Sequence, residues 1–184
     1  MQKKLKRELD SERYDHTLGV MYTCASLAMR YEYDLINAQV AGMLHDCAKS
    51  ISDSDKILLC QENNIVITEF EQSHPYLIHA KLGAYLAKED YDVSNKDILS
   101  AIEYHTTGKP DMSMLEKIVY LADYIEPLRG REYELAETRK MAFIDLDKAV
   151  YLALSNILCY LEATNSDIEP TTKLAYEYYK EVIV

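Results

Sequence analysis

Met43-Leu44-His45-Asp46-Cys47-Ala48-Lys49 puts an imidazole and a carboxylate side by side in a run that is otherwise largely apolar. Reading outward, Ala41, Leu44, His45 and Ala48 recur at helical spacing, which predicts a helix from about 34 to 49 with His45 on its inward face. Burying an imidazole and a carboxylate without partners costs about 1–3 kcal/mol for each polar group, and more for the charge. The rest of the chain therefore has to supply an answer to His45 and Asp46.

The same 3.6-residue period runs through nearly the whole chain, and 5 Gly and 4 Pro in 184 residues leave little punctuation for a many-stranded fold. Ser11 is placed to cap a helix carrying Thr17, Val20, Met21, Cys24, Leu27 and Ala28. Ser52 to Asp55 opens a short helix that stops near Asn63-Asn64, and Ile65-Val66-Ile67 has extended character. Pro75 suits the first turn of a helix with Ile78, His79, Leu82 and Leu86. Ser94 opens another, with Ile98, Ala101, Ile102 and His105 on one stripe and Gly108 as its stop. Ser113 and Glu116 fit a capping box ahead of Leu115, Val119, Ala122 and Asp123, with Pro127 ending that helix. A charged link, Leu128 to Lys140, precedes helices at 146–161 and 170–184. No repeat or composition break divides the chain. The expectation is one all-α domain over 1–184, a bundle of about eight helices.

Four of the 5 histidines, His16, His45, His79 and His105, fall on the inward stripes of four different predicted helices. One imidazole on an apolar stripe is ordinarily a satisfied core residue. Four, with Asp46 and Asp123 on or beside the same stripes, are better explained by a divalent metal, for which neutral imidazole and carboxylate are natural ligands.

The ordered set His16, His45-Asp46, His79, His105 and Asp123 resembles the HD-domain metal-dependent phosphohydrolases. Within them, Arg13-Tyr14-Asp15-His16, His79 to Ala84, the Tyr104-His105-Thr106-Thr107-Gly108 turn, Tyr120 to Pro127 followed by Arg129, and a segment around Ile168 to Thr171 resemble the YqeK-type symmetrical diadenosine tetraphosphate hydrolases. The resemblance implies a metal site on helices within 11–127, completed for the nucleotide by helices within 145–184. It makes His16, His45, Asp46 and Asp123 ligands of a divalent ion, iron foremost, with manganese, nickel, cobalt and zinc as alternatives. It sets His79 and His105 beside the phosphates, as direct contacts or as ligands of a second ion, the first reading being slightly preferred. Arg13, Thr106, Asp123 and Arg129 join them around the phosphates, and Ser166, Asp167, Ile168, Glu169, Pro170 and Thr171 help hold the nucleotide. Asp46 and Lys49 are further expected to act in catalysis, Lys49 from the face it shares with His45. The activity implied is hydrolysis of diadenosine tetraphosphate and related purine dinucleoside polyphosphates to nucleoside diphosphates. Another HD phosphohydrolase, acting on phosphodiesters or deoxynucleotides, and a non-catalytic nucleotide sensor are the rivals.

The remaining features read more plainly. With 31 acidic against 20 basic residues the formal charge is -11, which argues against a nucleic-acid polymer as partner. No apolar run spans a bilayer, and the charged N-terminus lacks the apolar stretch of a signal peptide. Cys24, Cys47, Cys60 and Cys159 form no CxxC pair and read as reduced thiols of a cytoplasmic protein. A homodimer is left open. His74 reads as a capping or surface residue, and the 16 tyrosines as core-edge residues.

Overall fold

The computed structural model describes residues 1–130 and 132–183. The described residues are all-α. Eleven α-helices run in order as α1 (Gln2–Glu8), α2 (Ser11–Arg30), α3 (Leu35–Leu44), α4 (Asp53–Glu62), α5 (Glu69–Ser73), α6 (His79–Tyr91), α7 (Lys96–Tyr104), α8 (Met114–Ile125), α9 (Glu132–Ala142), α10 (Leu146–Ala163) and α11 (Pro170–Val182). A 3-10 turn, Pro75–Ile78, leads into α6.

The count exceeds the expected eight because two short helices, α1 and α5, and the charged α9 carry few apolar positions. α1 buries Leu5, with Leu9 beyond its end. α5 is 5 residues held by a capping box between Thr68 and Glu71. α9 occupies most of the stretch expected to be a charged link; Arg131 of that link lies outside the described residues, as does Val184. Asp10, not Ser11, caps α2, accepting from the Arg13 amide at 2.8 Å. Asn95, not Ser94, caps α7. Ile65 to Ile67 enters no sheet among the described residues.

One correction bears on the site. The helix expected to run to Lys49 ends at Leu44, and residues 45–50 form tight turns, with bonds from the Cys47 amide to the Leu44 carbonyl and from the Lys49 amide to the Asp46 carbonyl. The His45 ring also turns back to the Gly42 carbonyl, at 2.8 Å. Local bonding to i−3 carbonyls replaces the helical ladder here.

The helix α2 packs on α3 and α8, and α7 packs on α3, α6 and α8, enclosing a core of Val20, Cys24, Leu27, Leu44, Ile102, Ile118 and Leu121. The later helices extend it: α10 packs on α8, α9 and α11. Gly42 lets α3 pack tightly on α2; a Cβ there would lie 2.7 Å from Cys24 Sγ. Gly108 has φ +64°, the left-handed turn that stops the chain after α7.

Candidate active site

His16 on α2, His45 just past α3, His79 at the start of α6 and His105 just past α7 meet where those helices converge. Ring centroids lie 5.4 Å apart for His16 and His45, 5.0 Å for His45 and His105, and 5.1 Å for His79 and His105. Asp46 follows His45, and Asp123 projects from the last turn of α8.

Three of these rings are fixed by one device. Nδ1 of His45 meets the Gly42 carbonyl at 2.8 Å, that of His79 the Tyr76 carbonyl at 2.6 Å, and that of His105 the Ile102 carbonyl at 2.7 Å. A carbonyl only accepts, so Nδ1 carries the proton in each, and in the neutral ring Nε2 is a bare lone pair facing inward. His16 is set differently: its Nδ1 meets Glu126 Oε1 and its Nε2 meets Asp123 Oδ1, each at 3.1 Å.

Burial pushes the His45 and His79 imidazoles down to about 4, so both are neutral near pH 7. Burial alone would raise Asp46 and Asp123, but the surrounding histidines, with Arg129 beside Asp123, outweigh it and keep both ionised. The centre is therefore crowded with acceptors. His45 Nε2 lies 3.7 Å from Asp46 Oδ2 and 3.7 Å from Asp123 Oδ1; Asp46 Oδ1 lies 3.3 Å from His79 Nε2 and 3.5 Å from His105 Nε2. His45 Nε2 and Asp46 Oδ1 are buried with no hydrogen-bond partner.

Inward-aimed lone pairs and carboxylate oxygens repel one another unless a cation sits among them, and that donor set fits a divalent metal ion. Two overlapping triads have ligand atoms close enough to hold one, His16–His45–Asp123 and His45–Asp46–His105.

Cations close the site from outside. Arg13 meets Asp46 Oδ2 at 2.8 Å, and Arg129 reaches back to Asp123 with contacts of 2.6 Å to Oδ1 and 3.0 Å to the carbonyl. Lys49, from the turn rather than a helix, lies 3.1 Å from His79 Nε2 and 4.0 Å from Asp46 Oδ1. The Thr106 hydroxyl lies 3.1 Å from His79 Nε2 and 3.0 Å from His105 Nε2. A cleft of about 530 Å³ opens beside this centre, lined by Arg13, His16, Glu126 and Arg129 and rimmed by Asp10, Glu12 and Asp15.

The segment Ser166 to Thr171 stands apart from the histidines. Glu169 caps α11, accepting from the Thr172 amide at 3.0 Å, and Asp167 pairs with His74 at 3.2 Å. Glu169 and Thr171 line a second cleft, of about 160 Å³, together with Thr107 and Tyr104. Thr107 follows Thr106, whose hydroxyl lies beside His79 and His105.

Sequence reasoning left Glu126 and Arg139 without a role. Glu126 is 1% exposed and holds His16. Arg139, on α9, donates to the carbonyls of Ile125, Glu126 and Arg129. Glu126 had a signal, its i+3 spacing from Asp123; Arg139 had none, since its partners are carbonyls.

This helical fold, with His16, the His45-Asp46 pair and Asp123 gathered at one point, is that of an HD domain. The HD-domain family model matches residues 13–128, and the chain belongs to that family. A symmetrical bis(5'-nucleosyl)-tetraphosphatase from Bacillus subtilis is 38% identical, covering 95% of this chain and 92% of the relative. A second, from Halalkalibacterium halodurans, is 38% identical, covering 94% and 91%. A crystal structure from Clostridium acetobutylicum, described as a predicted HD superfamily hydrolase involved in NAD metabolism, superposes with a TM-score of 0.94 at 37% identity, covering 98% of this chain and 95% of that one.

Proposed function

We propose that the chain is a divalent-metal-dependent hydrolase that cuts diadenosine tetraphosphate and related purine dinucleoside polyphosphates symmetrically, releasing two ADP from the former. The observation that carries this reading is the acceptor-rich cluster, in which His45 Nε2 and Asp46 Oδ1 are buried with no partner. Relatives named for that activity, alike over nearly the whole chain, supply the substrate.

His16, His45, Asp46 and Asp123 would hold the ion, iron foremost, with manganese, cobalt, nickel and zinc suited to the same imidazole and carboxylate set. When bound, the ion supplies Lewis acidity, polarising a phosphoryl oxygen and bringing the pKa of a water toward neutrality. His79 and His105 carry their ring proton on Nδ1 and turn an unprotonated Nε2 toward Asp46 Oδ1, with the Thr106 hydroxyl beside both and Lys49 beside His79, which supports a second ion there over direct donation to phosphate.

The protein's own cations do the rest. Arg129 engages Asp123 through Nε and one terminal nitrogen, and Arg13 engages Asp46 through one, so each guanidinium keeps N–H groups for a phosphate. Lys49, with its ammonium pulled down by burial, adds charge beside His79. Asp46, held by Arg13, or a neighbouring water would take the proton of the attacking water. The Ser166 to Thr171 segment, across the turn at Thr106 and Thr107, would hold the nucleoside. A freely diffusing nucleotide fits a cytoplasmic protein in which, among the described residues, no helix is long and apolar enough to cross a membrane.

The test is elemental analysis of protein purified without added metal, alongside product chromatography over a panel of dinucleoside polyphosphates, phosphodiesters and deoxynucleotides. Near-stoichiometric iron or another first-row metal, with ADP as sole product from diadenosine tetraphosphate, is expected. Metal-independent turnover, or preference for a phosphodiester, would overturn the assignment.

A further inference from the structure

Glu126 is buried at the end of α8, and its two carboxylate oxygens serve different parts of the site. Oε1 accepts from His16 Nδ1 at 3.1 Å, and Oε2 accepts from the Leu128 amide at 2.7 Å. Its carbonyl accepts from the Arg129 amide at 3.1 Å and from the Arg139 guanidinium at 3.0 Å. One residue is thus bonded to an imidazole of the metal cluster and to the backbone of the loop carrying Arg129.

We propose that Glu126 is a positioning residue that locks His16 and the Arg129 loop into one register, so that ion and phosphate meet at a fixed geometry. This rests on the reading of His16 as a ligand and Arg129 as a phosphate contact. Nδ1 of His45, His79 and His105 is held by carbonyls of their own local turns, three residues back in the chain. His16 alone is oriented by a side chain that also holds another segment. Outer partners of this kind fix the ring of a metal ligand, and their loss weakens metal binding by about 10- to 100-fold.

Two variants perturb the carboxylate by different routes. Glu126→Gln keeps the shape but offers one acceptor to two donors, His16 Nδ1–H and the Leu128 amide. Gly19→Ala leaves Glu126 unchanged in sequence, yet a methyl at Gly19 overlaps Glu126 Oε2 and must displace it. Ala is the better helix former, so propensity alone predicts no loss of helix stability in α2.

The experiment measures Mn²⁺ affinity, and ADP affinity of the metal-free protein, for the parent, E126Q, G19A, R129K, H16A and the E126Q/R129K double variant, with melting temperatures alongside. E126Q and G19A should each weaken Mn²⁺ binding about 10-fold or more. Both should weaken ADP binding, and E126Q added to R129K should cost less than about twofold further, because both act through one loop. Mn²⁺ and ADP affinities within about twofold of the parent in both variants, or losses that multiply in the double variant, would overturn the proposal. H16A separates the two levels. Unchanged Mn²⁺ affinity in H16A would sink the ligand reading itself, whereas its loss beside intact E126Q and G19A would sink only the role of Glu126.

Discussion

At the scale of single residues, the site is defined by what each side chain lacks. Asp46 and Asp123 each bring a charge to a cluster of imidazole nitrogens, and each is anchored by an arginine. On the proposed reading, Asp46→Ala or Asp123→Ala strips the ion or abolishes turnover, while Glu89→Ala, at an exposed carboxylate, changes neither. Metal content after gel filtration and the initial rate check this. Arg129→Lys should weaken nucleotide binding with a nearly unchanged melting temperature, because Lys cannot reproduce the planar fork that reaches Asp123 through two nitrogens. A binding isotherm and a thermal scan decide it. Gly42→Ala acts differently. Its methyl would press on Cys24 Sγ at 2.7 Å and on Met21 Cα at 3.2 Å, and Gly42 also supplies the carbonyl that orients His45. A loss of about 1–3 kcal/mol by denaturant titration is expected, with reduced activity.

Among the elements, α8 carries both Asp123 and a complete capping box at its start. Its Ser113–Glu116 capping box was legible in the sequence and is present. Glu116 does more than cap: Ser100 Oγ donates to it, and Lys109 lies 3.0 Å away. Burial would raise its carboxyl, but the bonds from Ser100 and Ser113 and the charge of Lys109 outweigh this and hold it below its ordinary value. A depressed folded value means that stability from Glu116 is fully present above the unfolded value near 4.3 and is lost as pH falls through the folded one. Glu116→Gln should therefore lower stability by about 1–2 kcal/mol at pH 7, and the gap should close in acid; denaturant melts at pH 7 and pH 3.5 test it. Long, strongly periodic helices such as α2, α8 and α10 were readable because their stripes repeat over several turns. The helices α1 and α5, under two turns each, are too short to show a repeating stripe, and the charged composition of α9 reads as a link. The histidines were legible as an inward set. Missing was that three of them sit at or beside helix ends, pinned by carbonyls, because a carbonyl partner leaves no trace in side-chain identity.

For the molecule as a whole, the question is where the substrate is cut. The formal charge is -11, yet Arg13, Lys49 and Arg129 gather around Asp46 and Asp123, so on the proposed reading a bound ion leaves these cations free to draw a polyanion to one spot within an acidic surface. That spot is compact. On the proposed reading it holds one nucleoside diphosphate half, with its terminal phosphate at the cluster and its nucleoside toward the cleft beside Thr107 and Thr171. In-line attack then requires the other half to leave outward, through the wider opening rimmed by Asp10, Glu12 and Asp15, where few groups are placed to discriminate its distant base. Diadenosine tetraphosphate should therefore give ADP as its only nucleotide product, with no early ATP or AMP, and the diguanosine analogue should give only GDP. In ¹⁸O-water, one of the two ADP molecules made per turnover should carry the label, on its terminal phosphate. Chromatography of early time points with mass spectrometry reads both results. Equimolar ATP and AMP at early times would mean that three phosphates, not two, are held on one side of the cut, and would displace the phosphate register assigned to Arg13 and Arg129.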